Sequence, residues 1–239
     1  MTPSPAGRRA IGAAVALIAL LACLAVAPAA GAQRLVLRGV GAGPLTDAQA
    51  ARLVHRSKWE PRPNNRSDNE RMPTRAQLAH FRSQDPIPYG HAVTGHFTGT
   101  TDEIIQWAAE KWGFAPNLLR AVATVESWWN MSTVGNAGSA FGLFQIRIPY
   151  HCCYPLIADS TAFNADYYGA YLRGLYNGRD GWLNTVPRGR TYKAGDLWGS
   201  VGEWASGRWH LGTSASYVAE VRKRLAQRTW RTDRWFPTH

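Results

Sequence analysis

The stretch WGFAPNLLRAVATVESWW, residues 112–129, decides the fold class. Pro116 suits the first turn of a helix, because it has no N–H to leave unpaired and its φ is already helical. From there Leu118, Leu119, Val122, Val125 and Trp129 recur at spacings of three and four. That spacing predicts an apolar stripe along a helix running to about Trp129. Glu126 follows Val122 by one turn and Leu119 by two, so it stands at the edge of the stripe near the helix end. A carboxylate in that place loses water, and loss of water favours the neutral acid. The carbonyl dipoles of the helix C-terminus push the same way. A carboxyl group that keeps its proton near neutral pH can protonate the leaving oxygen of a glycosidic bond. Helix position alone leaves a second reading open, a boundary Glu held by Ser127 or by an arginine.

Working outward, Thr100 and Glu103 form a capping box ahead of Ile104, Ile105, Ala108 and Trp112, and Gly113 stops that helix. A loop rich in Gly, Ser and Asn follows over residues 131–140. A small hairpin is expected near residues 139–148, and further helices over 161–176, 196–205 and 216–227. No long stretch alternates with period two, so the class is mainly α. Residues 33–99 read as an N-terminal extension. Within it, Thr46 with Gln49 and Thr74 with Gln77 predict two short capped helices. Residues 60–74 between them are almost devoid of apolar side chains and read as a polar loop or linker. Residues 100–239 form the main domain.

The first 32 residues read as a secretory signal. Arg8 and Arg9 precede an uncharged apolar run, Ala10 to Ala27. Pro28 breaks that run, and Ala30-Gly31-Ala32 fits the small-x-small cleavage rule, with Gln33 as the mature start. Two alternatives are a retained membrane anchor and a lipid anchor through Cys23, since Leu20-Leu21-Ala22-Cys23 resembles a lipobox. Cys152 and Cys153 are adjacent, so a bridge between them closes almost no loop and adds little stability. Beside them, His151 lacks the spaced ligand pairs of a metal site. No metal or other cofactor is expected.

Lys and Arg outnumber Asp and Glu by 27 to 16, and there are 11 Trp. After cleavage the net charge would be +9, the full +11 less Arg8 and Arg9. A basic surface favours a polyanion, while indole faces stack on sugar rings. No helix-turn-helix, zinc-finger or RNA-binding pattern is present, so nucleic acid is not the expected partner. The combination favours an acidic, carbohydrate-containing target, with anionic cell-wall polymers as further partners of a monomer.

Residues 112–122, then Glu126-Ser127 and Trp129, then Gly138-Ser139-Ala140-Phe141-Gly142-Leu143-Phe144-Gln145-Ile146 resemble the catalytic domain of soluble lytic transglycosylases, which are related to goose-type lysozymes. Asp159 to Asn164 and Tyr171-Leu172 look like a later helix of that family. The resemblance covers roughly residues 100–227. It implies a lysozyme-like α+β domain, a helical bundle with a substrate cleft, that cuts peptidoglycan glycan strands. It implies Glu126 as catalytic acid and then base, and Ser127, Ser139, Gly142, Phe144, Gln145 and Trp204 as substrate-binding residues. Gln145 would bond a substrate N-acetyl or hydroxyl group, and Gly142 would let the backbone approach the sugar.

Three departures stand out. The loop between Glu126 and Gln145 is one residue longer than the family pattern. Tyr168 replaces a glycine. Glu203-Trp204-Ala205-Ser206-Gly207 stands where the family has a tyrosine whose hydroxyl can bond the acid. Three functions compete: a lytic transglycosylase using Glu126 alone, a hydrolytic lysozyme with Asp159 or Asp166 as second carboxylate, and a non-catalytic wall-binding protein.

Overall fold

A computed structural model of the chain describes Met1, residues 34–184 and residues 192–237. Apart from Met1, the signal expected over residues 1–32 lies outside the described residues. From Arg34 onward the chain forms one compact unit. It is mainly helical with one small antiparallel sheet, consistent with a lysozyme-like fold.

In chain order the α-helices are α1 (Asp47–Ala51), α2 (Arg66–Glu70), α3 (Arg75–Gln84), α4 (Thr101–Trp112) and α5 (Pro116–Ser127). Then come β1 (Val134–Gly135), β2 (Ala140–Phe141) and β3 (Ile146–Arg147), paired in the order β1-β2-β3. Last are α6 (Leu156–Asp159), α7 (Thr161–Tyr176), α8 (Leu197–Ser206), α9 (Thr213–Gln227) and α10 (Thr229–Thr232). Capping boxes close the N-termini of α1, α3 and α4 at Thr46, Thr74 and Thr100. The expected hairpin is thus the outer part of a three-stranded sheet, in which Val134 pairs with Phe141 and Phe141 with Ile146.

The core is built around α4, which packs on α5 and α7, while α9 packs on α5 and α8. Close approach of α4 and α7 depends on Gly169, where an added Cβ would lie 2.2 Å from the Trp112 ring. Beneath this contact, Lys111 Nζ lies 2.7 Å from Asp166 Oδ2 and 2.6 Å from Asp47 Oδ1. Asp166 also accepts from the Trp112 indole and from the amides of Thr94 and Gly95. A buried pair of this kind is tolerated because nearly every lone pair finds a donor.

Two expectations are corrected. The polar stretch 60–74 is not a solvated linker. It forms a 3-10 turn (Pro63–Asn65) and α2, and while most of its residues are exposed, Glu60, Asn65 and Asn69 serve the interior. Glu60 accepts from the Thr101 amide and from Asn69, and Asn65 donates to Trp129 O while accepting from Met131 N. Composition does not distinguish a polar group facing water from one that satisfies buried backbone. The second correction is that α5 ends at Ser127, two residues early. Trp128 and Trp129 turn left-handed, with φ of 51° and 65°, at a cost of roughly 1–2 kcal/mol each for non-glycine residues. In return Trp129 is wholly buried against Trp59, Trp230 and Phe236, burial that outweighs the strain. This aromatic nest joins the N-terminal extension, α5 and the C-terminal segment.

Candidate active site

Glu126 sits in the last turn of α5, half-buried, on the wall of a cleft of about 630 Å³. Arg62, Ser127, Trp128, Asn130, Thr133 and Trp235 line the same cleft, and among these described residues Glu126 alone carries a carboxylate. Burial pushes its carboxyl group up to about 7, against the hydrogen bond from Tyr217 and a smaller pull from the neighbouring Trp204 indole. Desolvation therefore wins, and the neutral acid is well populated at neutral pH.

Tyr217, on α9, donates its hydroxyl to Glu126 Oε1. Packing of α9 on α5 brings the two together, and the same burial beside Glu126 drives the Tyr217 phenol well above its ordinary range. Tyr217 was missed in the sequence. Its only signal was a tyrosine four residues before the apolar Val221 on a predicted helix, one of 9 tyrosines in the chain. It supplies the hydroxyl that Trp204 lacks.

Trp204 donates its indole N–H to Phe144 O at 3.1 Å. Behind it lies a buried aromatic floor. Phe144 and Tyr168 stack at 4.4 Å with planes 3° apart, and Trp204 meets Tyr168 edge-on at 5.1 Å. Tyr168, the residue in place of the family glycine, thus fills the floor. Its phenol is raised well above the ordinary range by burial and then by Glu126 and Glu203. Tyr171 donates to Glu203 at 3.3 Å, and Glu203 is buried behind this layer.

The remaining sequence-predicted residues divide by location. Ser127 lines the cleft but is buried, with its hydroxyl on Leu143 O at 2.8 Å, where it pins the sheet segment to α5. Ser139 donates to Asn136 O inside its own loop. Phe144 offers its backbone to Asn164 and Trp204, and its ring is wholly buried. Gln145 spends its amide N–H groups on Thr133 O and Gly142 O. Gly142, at φ 76°, faces α7, and a Cβ there would lie 2.4 Å from Asn164 Nδ2. The packing of α7 accounts for this glycine without an approaching sugar.

Neither candidate second carboxylate lines the cleft. Asp166 is wholly buried under Lys111 and Trp112, and Asp159 pairs with Arg71 at 3.1 Å.

A mainly helical body with a small three-stranded sheet has the architecture of a lysozyme-like fold, and it presents one desolvated acid at a helix end facing a cleft. The family model of the transglycosylase SLT domain matches residues 103–149, from the first turn of α4 to just past β3. The chain is therefore similar to a transglycosylase SLT domain in the stretch that holds Glu126. No curated protein matches the chain.

Proposed function

We propose that the protein is an exported peptidoglycan lytic transglycosylase that works as a monomer with Glu126 as its single acid and base. The carrying observation is that Glu126 is both the one carboxylate among the described cleft-lining residues and a group held near pKa 7. Its proton goes to the oxygen bridging N-acetylmuramic acid and N-acetylglucosamine, and the bond from that oxygen to the anomeric carbon breaks. The resulting Glu126 carboxylate takes the proton of the muramoyl 6-hydroxyl, whose oxygen bonds to the anomeric carbon and closes a 1,6-anhydro ring. No water is consumed. The tethered hydroxyl has a large effective molarity over free water, and a hydrolase would need a second carboxylate to orient that water. The locations of Asp159 and Asp166 disfavour the lysozyme alternative.

Tyr217 orients the carboxyl group and Trp204 closes the floor behind it. Gln145 holds the carbonyl of Thr133, which itself lines the cleft. Export follows from the reading of residues 1–32, with Cys23 lipidation as the alternative anchor. Mass analysis of muropeptides released from purified cell wall tests the reaction. Non-reducing 1,6-anhydro ends, one water lighter than hydrolysis products, are expected, and predominantly reducing-end muramic acid would refute the lyase. N-terminal sequencing of the exported protein, expected to begin at Gln33, tests the processing.

A further inference from the structure

Two of the residues that share the cleft with Glu126 come from outside the matched family segment, Arg62 from the N-terminal extension and Trp235 from the C-terminal segment. Both are held in place more firmly than a surface residue needs to be. The backbone of Trp235 is fixed at both ends, its N–H on Asp233 Oδ1 at 2.9 Å and its carbonyl accepting from Arg62 Nη1 at 2.5 Å. The next residue, Phe236, is buried against Trp128 and Trp129. Even so, the Trp235 side chain is 65% exposed. An ordered backbone that holds a largely exposed Trp at a cleft is a preorganised contact surface, with its ordering entropy already spent before a ligand arrives. An indole face also suits the apolar C–H face of a pyranose.

Arg62 is fixed as firmly. Its Nε donates to Trp128 O at 2.6 Å, its Nη1 donates to Pro61 O and Trp235 O, and its guanidinium lies 4.3 Å over the Phe236 ring. Glu60 and Asp233 act on it electrostatically, but no carboxylate forms an ion pair with it among the described residues, and Nη2 makes no hydrogen bond there. The neighbouring Glu60 is turned to Thr101, Asn69 and the Arg62 amide. Arg234, 5.7 Å from the Trp235 ring centre, adds a second cation beside the indole. A fixed guanidinium with donors to spare suits a carboxylate.

We propose that Arg62 and Trp235 form a subsite for an acidic sugar beside Glu126. Trp235 stacks on a pyranose ring of the glycan strand, and Arg62 binds a carboxylate carried by that sugar or by the peptide attached to it. The assignment rests on the glycan-cleaving reading above and adds the feature that selects muramoyl units over neutral amino sugars. It also gives the N-terminal extension and the C-terminal segment a part in substrate selection.

Calorimetric titration of the full mature chain carrying Glu126→Gln, so that ligands stay uncut, tests the subsite. Three soluble tetrasaccharides serve as probes: neutral N-acetylglucosamine, peptide-free alternating N-acetylglucosamine and N-acetylmuramic acid, and the same strand with its peptides. Adding Trp235→Ala should weaken all three roughly two- to tenfold. Adding Arg62→Gln should weaken the acidic ligands more than the neutral one, which loses only the clamp on Trp235, and Arg62→Lys should recover part of the acidic loss. Weakening confined to the peptide-free strand assigns the carboxylate to the lactyl group, and weakening confined to the peptide-bearing strand assigns it to the peptide. Unaltered affinity for every ligand in a folded Trp235→Ala protein would overturn the subsite. So would equal losses for neutral and acidic ligands in Arg62→Gln. Should the Arg62 variants not fold, the salt dependence of the parent decides: acidic ligands must lose affinity with added salt while the neutral one does not. A parent protein that binds none of the three refutes the glycan-cleaving reading itself, and the subsite with it.

Discussion

The Tyr217 hydroxyl on α9 is hydrogen-bonded to Glu126 Oε1 at the end of α5, across 91 residues of sequence. The bond favours the charged carboxylate, whereas burial favours the neutral acid, and burial prevails. Because the proposed first step needs the protonated acid, wall lysis should fall as pH rises through about 7. Tyr217→Phe removes a donor to the carboxylate, so the falling limb should move to higher pH. A pH–rate profile of the variant whose limb stays in place or moves downward would separate Tyr217 from the acid.

Glu126→Gln keeps the size of the side chain and removes the transferable proton. Lysis should drop by roughly 10²–10⁴-fold, the usual scale of acid–base loss. The same variant reports on stability. The folded-state pKa of about 7 stands above the ordinary 4.5, so the native state holds the proton more tightly than the unfolded chain does. Stability from this group is therefore fully present below about pH 4.5 and is lost as pH rises through about 7. Relative to the unaltered protein, Glu126→Gln should melt at a higher temperature at about pH 9 than it does at about pH 4. Thermal unfolding at the two pH values checks the sign.

Asp166 and Asp159 should prove structural. Asp166→Asn leaves buried Lys111 short of a partner, and breaking a buried pair costs about 3–5 kcal/mol. Asp159→Asn breaks a half-exposed pair with Arg71, worth about 0–1 kcal/mol. Denaturant titration should rank the two in that order. Any protein that folds should release the same 1,6-anhydro products, and a switch in product chemistry in either variant would reopen the hydrolase reading.

Gly142→Ala should destabilise the protein by more than about 1 kcal/mol, since the site has positive φ and no room. The new Cβ would meet Asn164 and the Ile157 carbonyl, and the shift would pass directly to Phe144 and Gln145. A melting temperature equal to that of the parent would show that α7 yields more easily than its buried contacts indicate.

Binding to intact cell wall should weaken with added salt, because the expected mature charge of +9, the full +11 less Arg8 and Arg9, is attracted to phosphate and carboxylate polymers. Exposed charges are screened over about 8 Å at physiological ionic strength. Sedimentation of protein with wall at rising salt measures this, and salt-independent binding would assign adhesion to aromatic stacking.

Local chemistry in the sequence was enough to place α4 with both its caps, the start of α5 at Pro116, and Glu126 at the edge of an apolar stripe. Helix periodicity and capping act over a few residues, so they can be read directly from the chain. The end of α5 could not be read that way, because Trp128 and Trp129 turn left-handed only when a distant nest of Trp59, Trp230 and Phe236 encloses the second indole. Tertiary structure also decided that Glu60, Asn65 and Asn69 of the polar stretch 60–74 bond inward and that Asp166 is a core ion-pair partner. The same holds for Tyr217 and for the meeting of Arg62 with Trp235. Each of these depends on which helices lie side by side, and that is set by the summed packing of the core. Burial then gives identical carboxylates different roles. Asp166 receives donors and a cation, while Glu126 pairs with no cation among the described residues and keeps its proton near neutral pH.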